Sequence, residues 1–376
     1  MNEKEFLQKL LSLKEWHTFE CKRALIQPAK LLETMVAFAN SDGGTIVIGL
    51  EDPKKANGEK RLLGISENLD NVSNFLTLIN KEIEPVITPT KFEIPITNIN
   101  GIKDNLMILT IEKSDNIHSL KKGDTFVRNG NQNIKIGSVE IIRLKREKGA
   151  VAFEKEIPAK IALSDLDEQL LDVYKKNVQS KEEKIESFLK DNGLALIRNG
   201  KCIINNAGAL LFCKNPSISL GMKCGIKISH YYGDKISYSG KPNFVKRPFT
   251  IEGPLINQIE KAVAYFKETV NSSPPKLKGA TFVPSLLIPE WAFQEAVTNA
   301  VIHRNYFTQN DIQIRFFDTR IEIESPGTYP GHITVNNIRH ERFSRNPTVE
   351  RTLNRFRNAP NLDSGEGVNR IFSIMK

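Results

Sequence analysis

The stretch Glu15-Trp-His-Thr-Phe-Glu20-Cys-Lys22, followed by Phe38-Ala-Asn40-Ser-Asp-Gly43-Gly44-Thr-Ile-Val-Ile-Gly49-Leu-Glu51-Asp52, decides how this chain is read. Thr18 to Lys22 predicts a short strand. Thr45 to Leu50 is apolar and β-rich, the pattern of a buried strand. Between them Pro28 marks a helix start, with Leu31, Met35 and Phe38 along one face, and Asp42-Gly43-Gly44 ends that helix. Glu15 and Glu20 therefore precede the helix, and Asp52 follows the buried strand. Three acids that converge can hold a divalent ion such as Mg²⁺ or Mn²⁺, and metal with carboxylate is chemistry for phosphodiester cleavage. Lys22 lies two residues after Glu20, so on a strand both point the same way. An ordinary charged surface also presents three acids and a lysine, and spacing alone leaves both readings open.

Outward from this core, residues 4 to 13 carry a helical apolar stripe. A helix is expected over Asn71 to Glu82 and strands at Lys91 to Ile94 and Asn105 to Ile111, the first limited by Pro95, which has no amide hydrogen for a ladder. Thr125 to Gly130 reads as a strand entering a turn, and the charged, unpatterned Arg143 to Lys148 closes a first domain. Farther on, Ser164 to Asp167 looks like a helix N-cap region and Lys175 to Lys184 like a solvated helix surface. Leu194 to Ile204 alternates around Asn199-Gly200 as a hairpin does, which gives this section a loose winged-helix outline. A strand at Ile226 to Tyr232, an amphipathic helix at Pro254 to Thr269 and a linker or exposed loop from Ser272 to Lys278 follow. The last section predicts a helix from Pro289, strands at Asp311 to Phe317 and Arg320 to Glu324, and a helix near Val349 to Arg357.

At 376 residues, 40% hydrophobic and 26% charged, the composition is that of a folded multidomain protein. A formal charge of +9 favours an anionic partner, nucleic acid ahead of membrane. Cys21, Cys202, Cys213 and Cys224 form no C-x-x-C pair and have no histidine at a ligand spacing, which argues against zinc and against a disulfide scaffold. A reducing cytoplasm is the expected setting. No apolar run approaches the roughly 20 residues needed to span a bilayer, and the N-terminus opens an amphipathic helix rather than a signal peptide.

Glu15-x4-Glu20-Cys21-Lys22, Ala37-Phe38-Ala39-Asn40-x-x-Gly43-Gly44 with its strand, and Phe126-Val127-Arg128-Asn-Gly130 together resemble the Schlafen AlbA_2 domain, over about residues 10 to 145. The resemblance implies that Glu15, Glu20 and Asp52 are the metal ligands of an RNA-cleaving site, with Lys22 at phosphate. It equally covers bacterial relatives that only bind nucleic acid. Cys21 departs from the pattern, since the family usually has phenylalanine before the lysine.

Glu295 and Asn299 stand four apart on the predicted helix from Pro289, so both emerge from one face. A glutamate that orients water and an asparagine that holds magnesium suit ATP hydrolysis; two polar residues on an amphipathic helix are the plainer alternative. Glu324-Ser-Pro-Gly327-Thr-Tyr-Pro-Gly331, Arg345-Asn346-Pro347 and Gly365-Glu-Gly367-Val-Asn-Arg370 follow in order. With the helix they resemble the GHKL-type ATPase module of the RecG-related group of transcriptional regulators and helicases, over about residues 285 to 376. This implies nucleotide contacts from Asn299, His303, Arg304, Gly327, Arg345, Gly365 and Gly367, with Asn299 on the metal and Glu295 as base. His303-Arg304 suits a helix C-terminus equally well. The aspartate that such modules use for adenine is absent near Ser325-Pro326-Gly327, and no G-x-x-x-x-G-K-[ST] loop supports a helicase. The chain stops soon after Gly367, so the strands that normally close such a sheet are expected to be missing or to lie beyond the end.

The expectation is an α+β protein in three parts: an AlbA_2-like mixed sheet at 1–147, a helical, winged-helix-like connector at 148–284, and a GHKL-like α/β sandwich at 285–376. Its expected function is metal-dependent endonucleolytic cleavage, RNA before DNA, regulated by ATP. The alternatives are a non-catalytic, ATP-responsive DNA-binding transcriptional regulator and a scaffold with two degenerate sites. RNA or DNA and ATP are the expected partners, and a homo-oligomer is left open.

Overall fold

A computed structural model describes residues 3–158, 161–272, 276–278, 281–283, 288–360 and 367–375. The chain is α+β and divides into two compact units, one of residues 1–150 with 331–334, the other of residues 151–330 with 335–376. Among the described residues no helix is long and apolar enough to cross a membrane.

The first unit runs α1 (Glu3–Ser12), β1 (Phe19–Lys22), α2 (Pro28–Asn40), β2 (Gly44–Ile48), α3 (Leu69–Glu82), β3 (Ile83–Glu84), β4 (Thr90–Thr97), β5 (Lys103–Ile111), β6 (Ser119–Leu120), β7 (Thr125–Asn129), β8 (Gln132–Ile136) and α4 (Ser138–Glu147). Its main sheet has the order β1-β2-β5-β4, with β1 parallel to β2 and β5 antiparallel to both its neighbours. Strand alternation divides the sheet's side chains between two cores. Ile46, Ile48, Leu109 and Ile111 pack with Leu31, Met35 and Phe38 of α2 and Phe75 of α3. Phe19, Cys21, Val47, Leu106 and Ile108 pack with Leu10 of α1. Burying apolar surface on both faces supplies the main drive to fold this sheet.

The turn from α2 into β2 explains the double glycine. Gly43 has φ +76°, and a Cβ there would lie 2.7 Å from the carbonyl oxygen of Ile111. A Cβ on Gly44 would meet the Phe38 ring at 2.7 Å. Asn40, 2% exposed, pins the same corner. Its Nδ2 donates to the carbonyls of His118 at 2.8 Å and Phe126 at 2.9 Å, and its Oδ1 accepts from the His118 amide at 2.8 Å.

Two local expectations give way here. β4 runs through Pro95 because it is an edge strand, where outward-facing amides have no ladder partner to lose. Residues 143 to 147 belong to α4, whose aliphatics Val139, Ile141 and Ile142 lie before the charged run; taken alone the run carries only Leu144, too little for a helical pattern.

The second unit runs α5 (Glu168–Asn177), α6 (Ile185–Asp191), β9 (Ala195–Arg198), β10 (Lys201–Ile204), α7 (Asn206–Phe212), α8 (Pro216–Leu220), β11 (Ile226–Tyr231), β12 (Phe244–Ile251), α9 (Leu255–Ser272), β13 (Lys276–Lys278), β14 (Thr281–Val283), α10 (Glu290–Ile302), β15 (Ile312–Phe316), β16 (Ile321–Glu324), α11 (Pro347–Leu353) and α12 (Gly367–Ile374). Asn199 and Gly200, both with positive φ, turn the expected β9–β10 hairpin. The segment read as a linker holds a strand at Lys276–Lys278, paired with Thr281–Val283; residues 273–275 lie outside the described set. The charged run expected as helix surface leaves its helix at Asn177.

The main sheet has the order β12-β11-β15-β16, so it takes two strands from residues 148–284 and two from 285–376. One core joins both stretches, with Phe212, Ile226, Ile228, Ile259 and Phe266 packing with Phe293, Val297, Val301, Ile314 and Phe356. Glu154, fully buried, accepts from the amides of Thr348 and Val349 and from the Thr348 hydroxyl at 2.7 to 3.0 Å, completing the start of α11.

Asn40→Leu leaves three buried backbone groups without their partner. It is expected to destabilise the first unit by about 3 kcal/mol, read by urea unfolding through Trp16 fluorescence in a Trp291→Phe background. A loss below about 1 kcal/mol would mean that the corner does not depend on this side chain.

Candidate functional site

On β1 the alternation sends Phe19 and Cys21 to one core and leaves Glu20 and Lys22 on the opposite face. The Lys22 ammonium lies between two carboxylates, 2.8 Å from Glu15 Oε1 and 2.5 Å from Glu20 Oε1. Glu15 reaches back from the loop after α1 and also accepts from the Cys21 amide at 3.3 Å. The second oxygen of Glu20 is held by Arg128 of β7. Both residues are buried, Glu20 at 5% exposure and Arg128 at 4%. Arg128 also donates to the carbonyl of Trp16 at 3.0 Å and to Asn133 Oδ1 at 2.8 Å, and it lies 5.0 Å over the Phe38 ring. Burial works against the Lys22 ammonium, but Glu20 and Glu15 outweigh it and raise its pKa.

Asp52 is turned to a different task. Its Oδ1 accepts from the Lys54 amide at 2.8 Å, and its carbonyl from Lys55 at 2.9 Å, so it closes its own turn. The neighbouring Glu51 bonds the Asp52 amide at 2.9 Å and lies 3.6 Å from Arg23. The structure thus brings Glu15, Glu20 and Lys22 together and leaves Asp52 outside their network. Among the described residues no group of three or more His, Cys, Asp or Glu has the geometry to hold a metal ion. The donor set also argues against a fit as arranged. Lys22 and Arg128 already offset the charge of Glu15 and Glu20, and a divalent ion would need them displaced.

Beneath the network, Arg61 is 1% exposed and donates to the carbonyls of Glu51 at 2.8 Å and Leu11 at 2.7 Å, and to Cys21 Sγ at 3.2 Å. Burial, with Glu15, pushes the Cys21 thiol up to about 12 against the pull of Arg61. Cys21 therefore stays a neutral acceptor for a buried guanidinium, which the usual phenylalanine cannot be. Sequence pattern alone does not mark Arg128 or Arg61 as site residues. The one signal for Arg128 is its place in Phe126-Val127-Arg128-Asn-Gly130; nothing local marks Arg61.

In the second unit, Asn299 Nδ2 donates to Glu295 Oε1 at 3.1 Å across one turn of α10. Burial raises the Glu295 carboxyl, while Asn299 and Arg370 of α12 pull it down. Gly367 begins α12 directly against Glu295, where a Cβ would collide with the carboxylate. Glu295, Asn299 and Gly367 therefore meet at one place, with a helix N-terminus beside an amide and a carboxylate. Such donors suit a magnesium–phosphate group. Gly365 lies outside the described residues.

The remaining expected ligands are placed elsewhere. Arg304 has no exposure; its guanidinium donates to the carbonyls of Lys223 and Asn310 at 2.7 Å and stacks on Tyr306 at 4.8 Å. Arg345 donates to the carbonyls of Thr328 at 2.8 Å and His303 at 3.3 Å, close to Gly327 and Asn305, and so clamps the loop after β16. Burial, then the charge of Arg345, lowers the His303 imidazole to about 4, so it is neutral near pH 7. Ser325, where the adenine aspartate is missing, spends its hydroxyl proton on the Ala300 carbonyl at 2.7 Å.

Residues 15–137 match the family model described as Schlafen, AlbA_2, and residues 309–376 match that described as "Putative ATP-dependent DNA helicase recG C-terminal". The chain thus pairs the two domains that its motifs resembled. Glu15, Glu20, Lys22, Asp52 and Arg128 fall within the first match, and Gly327, Arg345 and Gly367 within the second, whereas the Glu295 helix precedes it. No curated protein matches the chain. Among solved structures it is similar to the DIP2311 protein from Corynebacterium diphtheriae, at 18% identity over 99% of this chain and 74% of that chain, with a TM-score of 0.42. The two domain types indicate a nucleic-acid-related function.

Arg128→Met leaves the buried Glu20 with Lys22 as its remaining cation and one oxygen unmatched, and is expected to cost roughly 3 kcal/mol in denaturant unfolding, most of which returns in the Glu20→Gln/Arg128→Met pair. An equal loss in the single and double variants would show that the two side chains are not coupled.

Proposed function

We propose that this protein is a nucleic-acid-binding regulator that responds to ATP, with a first unit that engages nucleic acid without hydrolysing it. The observation that carries the reading is the closed Glu15–Lys22–Glu20–Arg128 network, in which two acids are already matched by two cations. Such a network fixes the glycine-rich corner and the β7–β8 hairpin as a rigid surface, and the chain's +9 charge favours a polyanion. The proposed setting is the cytoplasm.

A second reading, metal-dependent endonucleolytic cleavage with RNA before DNA, is favoured by one detail. Lys22 Nζ already occupies a cation position between Glu15 and Glu20. In that reading Lys22 turns out to a phosphate, and Asp52 leaves its turn to complete a site for Mg²⁺ or Mn²⁺.

In the second unit, Asn299 would hold the metal of ATP·Mg²⁺, Glu295 Oε1 would orient a water or the metal's hydration shell, and the amide end of α12 at Gly367 would approach phosphate. Bound ATP supplies a concentrated negative charge whose preference for one conformation shifts the population toward it. His303, Arg304 and Arg345 would shape this site from behind rather than touch the nucleotide.

Two experiments test the scheme. The first incubates the full chain with tRNA, single-stranded RNA and duplex DNA in Mn²⁺ or in EDTA, beside Asp52→Ala. Binding that survives EDTA and the substitution, without cleavage, is expected; Mn²⁺-dependent cleavage lost in Asp52→Ala would replace the first reading by the second. The second is calorimetry of ATP·Mg²⁺ binding. Gly367→Ala is expected to weaken it at least about tenfold, or ~1.4 kcal/mol. Absence of binding to the unsubstituted protein would leave the second unit a scaffold.

A further inference from the structure

Among the described residues, the loop joining β11 to β12 carries the most exposed aromatic side chains of the second unit. Tyr238 is 92% exposed and Tyr232 62%. Exposing two large rings in one short loop leaves apolar surface in water that a partner could cover. The loop and the strand that leaves it read Tyr232-Gly-Asp-Lys235-Ile-Ser-Tyr238-Ser-Gly-Lys241-Pro-Asn243-Phe-Val-Lys246-Arg247. Lys235, Lys241, Lys246 and Arg247 are all exposed and alternate with the rings.

The loop is held in shape from within. Asn243 Nδ2 donates to the carbonyls of Tyr232 at 2.6 Å and Lys235 at 2.9 Å, its Oδ1 accepts from the Ser237 amide at 2.9 Å, and its carbonyl from the Tyr232 amide at 2.8 Å. Asp318 anchors the Gly233 amide at 3.0 Å. Nearby acids are largely committed. Asp234 accepts from Thr319 Oγ1 at 2.5 Å, and Glu268 lies 3.6 Å from Lys246. Among the described residues Lys235, Lys241 and Arg247 form no salt bridge. A preorganised loop presents its cations and rings at little further entropic cost on binding.

Interleaved cations and exposed rings fit a chain that offers phosphates and flat faces at regular intervals. Duplex bases hide their faces in the stack, whereas a single strand can splay them onto tyrosines. An anionic membrane fits less well, because the tip carries Ser237, Ser239 and Gly240 and its aliphatic Ile236 is half-buried. We propose that the β11–β12 hairpin binds single-stranded nucleic acid, with Tyr232 and Tyr238 stacking on bases and Lys235, Lys241 and Arg247 contacting phosphates. The partner class rests on the nucleic-acid reading above; the site does not, since it lies wholly in the second unit.

The test is fluorescence anisotropy of labelled oligo(dT) and oligo(U) with the full chain, across a salt series. Tyr238→Ala is expected to weaken binding about tenfold, with Tyr238→Phe close to the unsubstituted protein. Lys241→Ala is expected to lower the slope of log affinity against log salt by about 0.7. These side chains project from the loop into solvent, so the variants should fold; the unfolding transition checks this. Strand binding unchanged in Tyr238→Ala and Lys241→Ala would overturn the hairpin site and leave the nucleic-acid reading standing. No binding of any oligonucleotide by the unsubstituted chain would overturn both. Tyr238-dependent binding to phosphatidylserine vesicles without oligonucleotide binding would assign the loop to a membrane and overturn the proposal.

Discussion

Burying a carboxylate to the depth of Glu20 is costly unless cations match it, and Arg128 on one oxygen and Lys22 on the other do so, with Arg128 the deeper of the two. The Glu20–Arg128 pair ties β1 to β7 across 108 positions of sequence. Through the other donors of Arg128 it also fixes the Trp16 carbonyl and Asn133, and Asn133 in turn bonds Thr34 of α2. Lys22 and Glu15 then attach to an acid whose position is already set. The surface proposed to meet nucleic acid is thus the outer part of a network whose inner part holds the unit together.

The second unit uses buried charge in a related way, with backbone groups as partners. Glu154 caps α11, and Arg304 donates to two carbonyls beneath the end of α10. Asn346 joins the same region by donating to the carbonyls of Ile302 at 2.7 Å and Arg304 at 2.9 Å. These contacts set where α10 ends and where the following loop departs. They therefore govern the orientation of the helix that carries Glu295 and Asn299.

Local pattern made much of this legible. A period of two put Glu20 and Lys22 on one face, Pro28 and Gly43-Gly44 bracketed α2, and the four-residue spacing joined Glu295 to Asn299. What local pattern could not carry was the choice among partners. Glu20 takes an arginine from a remote hairpin, while Asp52 is satisfied two residues away by the Lys54 amide, a competition decided by tertiary distance. Arg304 follows His303 directly, yet the helix end turns one into the core beside Tyr306 and leaves the other beside Arg345. The charged end of α4 offered only Leu144 as an apolar position, and Pro95 is tolerated because its strand has an open side.

That open side has a bearing on how the protein behaves in a crowded solution. An unprotected strand edge is a template on which a second chain can lay down its own backbone. β4 presents a proline at Pro95, which cannot donate at that point, and the opposite edge, β1, is only four residues long. The sheet of the second unit ends on β12, whose Lys246-Arg247-Pro248 run combines two like charges with another missing donor. Three of the four edges of the two main sheets are thereby poor nuclei for intermolecular β-pairing, and on β12 the exposed cations Lys246 and Arg247 would set like charge against like in any such pairing between copies.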